Sequence, residues 1–148
     1  MALRYAVDTN ILLRVYDPAD SQHRVIQEAL QRLTRAGIEL CFTPQNIGEF
    51  WNVSTRPVGR NGFGLSIQEA NAQVQSIERS MTLLPEDQTS YQNWRDLLLT
   101  YSVRGAEVHD AHIAAVLEVH GVGHLLTLNG KDFKRFPHVI PVHPRDVQ

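Results

Sequence analysis

Leu3-Arg4-Tyr5-Ala6-Val7-Asp8-Thr9-Asn10 is a short, mainly apolar run that ends on three polar residues in succession. It reads as a buried strand stopped at Asp8, too brief for an ordinary helix and too apolar for a surface loop. Similar runs recur at residues 38–42, 81–84 and 125–128, and Val139-Ile140 adds a fifth, edge strand before Pro141. All are short, and they carry the β-branched or aromatic residues that suit a pleated surface.

The segments between these runs have helical periodicity. Residues 11–15 read as a short helix. Residues 21–36 place Val25, Ile26, Ala29, Leu30 and Leu33 on one stripe, and Gly37 ends them. Thr43-Pro44 is a cap followed by a helix-starting proline; the helix it opens carries Ile47, Phe50 and Trp51 and stops before Pro57. Residues 66–80 align Ile67, Ala70, Val74 and Ile77, and the stripe around Val74 and Ile77 suits either a core or a contact with another chain. Residues 87–101 and the alanine-rich 108–120 complete the helices. Residues 56–64, with Gly59, Gly62 and Gly64, read as a mobile loop, and Asn129-Gly130 turns into a short segment at 132–136. Strands alternating with helices predict an α/β fold, a three-layer α/β/α sandwich around a short parallel sheet of four to five strands.

The 148 residues suit a single domain spanning 1–148, and 43% hydrophobic with 20% charged residues is an ordinary folded composition. The formal net charge of −2 provides no long-range positive field. An enzyme acting on nucleic acid would therefore need a local basic rim or bound cations. Cys41 is the only cysteine, which excludes an internal disulfide and a cysteine zinc cluster and fits a reducing compartment. The apolar run after Met1-Ala2 is too short for a signal peptide, and about 18 consecutive apolar residues, the minimum for a membrane span, occur nowhere; a cytoplasmic protein is expected.

Ligands of parallel sheets bind beyond the carboxyl ends of the strands. Asp8 ends the first strand, Glu49 lies in the helix after the second, Asp110 lies near the start of the helix before the fourth, and Asp132 follows the fourth. Taken singly, each has an ordinary structural explanation: aspartate favours helix N-caps, and Glu49 suits a solvated helix face. Together, four carboxylates at one rim would repel one another unless a cation intervened, and hard oxygen donors suit Mg²⁺ or Mn²⁺.

Four pieces of the chain resemble the PIN-domain family, and within it the VapC-like ribonuclease toxins of type II toxin–antitoxin pairs. They are Val7-Asp8-Thr9-Asn10, Pro44-Gln45-Asn46-Ile47-Gly48-Glu49-Phe50, Val108-His109-Asp110-Ala111 and Leu126-Thr127-Leu128-Asn129-Gly130-Lys131-Asp132-Phe133. They occur in the family's order and span nearly the whole chain. The resemblance implies a PIN-like fold and a Mg²⁺- or Mn²⁺-dependent endoribonuclease that hydrolyses RNA by metal-activated water. It implies Asp8, Glu49 and Asp110 as the core metal ligands and Asp132 as a fourth acid. Relatives often carry an aspartate nearer Asn129, so Asn129 competes for that fourth role. Thr9, Asn10 and Thr127 would orient carboxylates or water through hydrogen bonds. A cognate antitoxin and a homodimer are the implied partners. A housekeeping RNA-processing nuclease and a catalytically silent RNA- or partner-binding module are the alternatives on the same fold.

Arg56, Arg60, Arg104, Lys131, Lys134 and Arg135 flank these acids in sequence and are candidate phosphate contacts. Other constellations carry less. Cys41 lies in an apolar run and suits a buried, inert thiol. His109 and His112 are three apart without an HExxH pattern, Gly121-Val122-Gly123 lacks the third glycine of a dinucleotide loop, and neither a P-loop nor a GxSxG elbow occurs. The second aspartate of a haloacid-dehalogenase-like phosphatase is missing after Asp8-Thr9-Asn10. Trp51 and Trp94 suit packing.

Overall fold

Tyr5 and Ala6 lie between two parallel neighbours, and this double pairing orders the sheet around them. The computed structural model describes residues 3–148; the first two residues considered for a signal peptide lie outside that range. Strand β1 (Arg4–Val7) pairs with β2 (Glu39–Phe42) on one side and β4 (His124–Leu126) on the other, with Ala6 opposite both Cys41 and Leu125. Strands β3 (Thr82–Leu83) and β5 (Ile140–Val142) close the edges, giving the all-parallel order β3-β2-β1-β4-β5.

The helices are α1 (Thr9–Val15), α2 (His23–Arg35), α3 (Pro44–Thr55), α4 (Ile67–Ser80), α5 (Gln88–Thr100) and α6 (Glu107–Val119). They divide between the two faces because successive strand residues point oppositely. Ala6, Cys41 and Leu125 join α5 and α6 in one buried cluster. Val7, Leu40, Phe42 and Leu126 join α1, α2, Phe50 of α3 and Val74 and Ile77 of α4 in the other. Val74 and Ile77 are thus core residues of this chain. This is the α/β/α sandwich expected from the strand–helix alternation, with five strands.

Three local differences have physical causes. The fourth strand ends at Leu126 instead of Leu128, so the Thr127 side chain is available to a neighbour. The fifth strand runs through Pro141 instead of stopping before it. Its ladder bonds come from Ile140 N to Gly123 O (2.7 Å) and from Thr127 N to Val142 O (3.0 Å), so the missing proline N–H faces the open edge, where proline is tolerated. The 56–64 loop is tied down more than its glycines suggested. It contains a 3-10 turn at Val58–Arg60 and folds back onto α3, with Phe63 N donating to Val53 O (3.0 Å) and Leu65 N to Ser54 O (2.9 Å).

That return is so close that a Cβ at Gly62 would stand 2.0 Å from the Arg56 carbonyl oxygen. Gly62→Ala is expected to force the loop off α3, to cost about 1–2 kcal/mol in urea denaturation, and to make the loop a preferred site of limited proteolysis. Unchanged midpoint and cleavage pattern would contradict this packing.

Candidate functional site

Parallel strands place their carboxyl ends on one rim, and the acidic residues gather there. Asp8 follows β1 and caps α1, its carboxylate accepting from Thr9 N at 2.8 Å. Glu49 lies in the second turn of α3, Asp110 in the first turn of α6, and Asp132 in a 3-10 turn, Gly130–Phe133, after β4. Asp8, Glu49, Asp110 and Asp132 line one open cleft of about 210 Å³ together with Thr9, Asn10 and Asn129. Two larger clefts, of about 370 and 630 Å³, have mainly apolar walls and hold none of these residues.

A hydrogen-bonded frame holds two of the carboxylates. Thr127 Oγ1 donates to Asp8 Oδ2 at 2.7 Å and accepts from Asn129 N at 3.0 Å. Asn10 Nδ2 lies 3.3 Å from the same Asp8 oxygen, and its Oδ1 accepts from Leu128 N, also at 3.3 Å. On the other side, Thr9 Oγ1 donates to Glu49 Oε1 at 2.8 Å. The groups expected to orient carboxylates, Thr9, Asn10 and Thr127, therefore touch them directly or through one another.

Two further residues belong to this frame and escaped the sequence reading. Asn46 is 1% exposed. Its Oδ1 accepts from Thr43 N at 2.8 Å, closing the cap of α3, while its Nδ2 donates to Thr9 Oγ1 at 3.0 Å and so backs the Thr9–Glu49 bond. Gln45 Nε2 donates to the carbonyl of His109, next to Asp110, at 2.9 Å and links α3 to α6. The available signal was spacing: Asn46 is three residues after the Thr43 cap and three before Glu49, on the same helix face.

The electrostatics follow from crowding. Burial pushes the Asp8 carboxyl up, against the hydrogen bonds from Thr127, Thr9 N and Asn10, and the charge of Glu49 adds to the rise. Burial is also the main cause that lifts Asp110 to about 6, followed by the charges of Asp132, Asp8, Glu49 and Glu107. No hydrogen bond offsets that rise. The acids border the cleft without closing on one point: among the described residues, no three His, Cys, Asp or Glu are gathered tightly enough to hold a metal ion as they stand. Their chemistry nevertheless suits one, since the donors are all hard oxygens and their repulsion calls for positive charge.

The remaining candidates lie elsewhere. None of Arg56, Arg60, Arg104, Lys131, Lys134 or Arg135 lines the cleft. Arg135 is paired with Glu107 at 2.7 Å, and Arg56 donates to Asn61 O at 3.0 Å. His112 stacks on Trp94 with ring centroids 4.3 Å apart and pairs with Glu86, while Gln45 bonds only the backbone carbonyl of His109. Trp94 donates to Val108 O at 3.0 Å, a packing role, and Trp51 packs against the second core cluster. Cys41 is buried, and burial pushes its thiol up to about 11, which leaves it unreactive.

Two measurements test this frame. Asp110 takes up its proton near pH 6 in the folded chain against 3.8 as the ordinary value. The folded state then binds more protons between these pH values, so its stability falls as pH rises through that window. Asp110→Asn is expected to raise the stability of chelator-treated protein at pH 7 by about 1 kcal/mol, discounted for the partial exposure of the group, or ~2–4 °C in melting temperature. The gain should vanish below about pH 4; a variant no more stable than wild type at pH 7 would refute the crowding. Asn46→Ala removes the side-chain half of the α3 capping box, leaving the Thr43 cap on the backbone of residue 46, and removes the support of Thr9; a loss of about 1–3 kcal/mol in urea denaturation is expected. A loss under roughly 0.5 kcal/mol, the scale of an ordinary surface change, would remove Asn46 from the frame.

Residues 5–139 match the family model of the PIN domain. The fold is similar to VapBC2 from Rickettsia felis bound to a DNA fragment from their promoter, with TM-score 0.71, 14% identity, and coverage of 95% of this chain and 98% of that one. It is also similar to VapC20 from Mycobacterium tuberculosis, a sarcin–ricin loop cleaving toxin (TM-score 0.66, 16% identity, 89% and 95% coverage). A toxin–antitoxin complex from Klebsiella pneumoniae gives TM-score 0.63 at 20% identity, with 92% and 95% coverage. No curated protein sequence matches. At these identities the structural likeness concerns the fold, whereas the family model covers nearly the whole chain: the protein belongs to the PIN domain family.

Proposed function

We propose that this chain is a divalent-metal-dependent endoribonuclease and the toxin of a toxin–antitoxin pair. The supporting observation is the convergence of Asp8, Glu49, Asp110 and Asp132, from four separate elements, on one solvent-open cleft at the carboxyl rim of the sheet. Asp8, Glu49 and Asp110 would hold Mg²⁺ or Mn²⁺, with Asp132 or Asn129 completing the set. When bound, the ion offsets the carboxylate charge and the charge developing on the phosphate, and acidifies a water.

The chain's own residues supply orientation. Thr127 and Thr9 N fix both oxygens of Asp8, so its free lone pairs face the cleft in one direction. Thr9 Oγ1 occupies one oxygen of Glu49 and leaves the other for a ligand. Asp110, which draws no hydrogen bond, is free to turn toward a cation. A thiol nucleophile is not part of this chemistry, because Cys41 belongs to the core under the sheet. Likeness of fold to chains solved as VapBC and toxin–antitoxin complexes supports an antitoxin as the protein partner.

Purified protein is expected to cut RNA only with Mg²⁺ or Mn²⁺, to lose about 100-fold or more of its rate in both Asp8→Asn and Asp110→Asn, and to ignore cysteine alkylation. Full cleavage by both variants would refute the site. Expression should arrest growth, with relief by the product of a small neighbouring gene; cleavage without arrest would point to an RNA-processing enzyme instead.

A further inference from the structure

A second cavity adjoins the acidic cleft, and its wall carries a polar group that the fold leaves unused. It measures about 160 Å³ and lies between α1, α3, α4 and the 56–64 loop, bounded by Leu13, Tyr16, Phe50, Ser54, Phe63 and Gln73. Leu13 lines both cavities. Along α3, Ser54 lies five residues beyond Glu49, a rise of about 7.5 Å and a turn of about 140° around the helix.

The polar group is Ser54 Oγ, fully buried and without a hydrogen-bond partner. A serine within a helix ordinarily bonds the carbonyl four residues back. Its neighbour Thr55 does so, donating to Trp51 O at 2.8 Å, as Ser80 does to Ser76 O at 2.8 Å. Ser54 does not, and it lines the cavity instead. A buried hydroxyl left unpaired is costly and uncommon, and it is retained where a ligand or water takes it up.

The remaining walls suit a flat ring. Tyr16 and Phe50 meet edge to face with centroids 5.7 Å apart, forming an aromatic corner, while Phe63 remains 39% exposed at the opening. Gln73 adds an amide able to donate and accept. At roughly 30 Å³ per water the space holds about five waters, the size class of one heterocycle rather than of a whole nucleoside. Unstacked bases of single-stranded RNA are bound in this way, by aromatic faces together with hydrogen bonds to a base edge.

We propose that this cavity is a nucleobase pocket, receiving one base of single-stranded RNA beside the scissile phosphate and reading its edge through Ser54 and Gln73. The inference rests on the ribonuclease reading of the acidic cleft. It gives the 56–64 loop a role: the bonds from Phe63 N and Leu65 N to α3 carbonyls hold the open wall in place.

The test is cleavage of oligoribonucleotides randomised around one site, with sequencing of the ends, for wild type, Ser54→Ala, Phe63→Ala and Asp8→Asn. Wild type should favour one base next to the cut. Ser54→Ala and Phe63→Ala should lower that preference, expressed as a ratio of kcat/KM, by about 10-fold, with Mg²⁺ dependence unchanged; Ser54→Ala, which removes a buried unpaired hydroxyl, should melt no lower than wild type. Both substitutions remove atoms from the wall without adding bulk; Ser54→Val, which replaces the hydroxyl with two methyl groups and narrows the cavity, should abolish the preference as well. Wild-type base preference in all three pocket variants overturns the pocket while leaving the cleft intact, provided Asp8→Asn is inactive. Failure of wild type to cut any RNA with Mg²⁺ or Mn²⁺ overturns both readings.

Discussion

The carboxylate of Asp8 is buried where β1 passes into α1, and the rest of the cleft is arranged around the need to satisfy it. A carboxylate withdrawn from water is tolerated only when hydrogen bonds or charge replace the lost solvation. Here the donors come from both ends of the chain: Thr9 N and Asn10 beside it, and Thr127, 119 residues away. Thr127 reaches Asp8 because Val7 pairs with Leu126 in the sheet, so that the two following residues emerge side by side. A slip of one residue between β1 and β4 would turn Thr127 to the other face and leave Asp8 without its shortest bond. Strand register and site geometry are therefore one constraint.

The same crowding divides the labour between core and rim. Asp110 lies on a helix whose Ala111, Ala114 and Ala115 are essentially inaccessible and bring α6 close to the sheet. Small residues permit that approach, and the approach carries Asp110 toward the other acids at an electrostatic cost. Two apolar clusters on opposite faces of the sheet oppose that cost, with Phe50, Phe133 and Phe136 among the largest fully buried side chains. Cation binding would relieve it directly, coupling stability to metal concentration.

The fold was legible because its signals are local. Apolar runs ending at Asp8 and Phe42, the Thr43-Pro44 cap and the alternation of strand with helix need no knowledge of distant contacts. The acids were legible for a related reason, since each lies just beyond a strand or in the first turns of a helix, where a parallel sheet exposes its site. What escaped depends on pairing across the fold. Pro141 belongs to β5 because an edge strand has one unbonded side, a fact visible only once β4 is beside it. Asn46 looks like a second capping residue until α1 brings Thr9 within reach of its amide. The loop at 56–64 has the composition of a flexible segment, yet its amides find carbonyls on α3, because Gly62 lets the backbone approach Arg56 more closely than any side chain would allow. Ser54 gives no signal at all in sequence: only the missing i−4 bond distinguishes it from Thr55.

The net charge of −2 bears on how such a cleft could engage a polyanion. The rim is acidic and the candidate cations do not line it, so long-range attraction contributes little and affinity for phosphate has to be local. On the proposed function, a cation in the cleft provides that local charge, but it does so equally at every phosphate and carries no sequence information. Discrimination among RNAs then falls to contacts with bases. With weak electrostatic capture, a modest stacking and hydrogen-bonding contribution forms a larger share of the total binding. A cavity of about 160 Å³ with aromatic walls and one free hydroxyl, sharing Leu13 with the acidic cleft, is where such a contribution can act on the reacting phosphate as well as on binding. A base seated there would fix the position of its neighbouring phosphate over Asp8 and Glu49, so selectivity would be expressed more in turnover than in affinity.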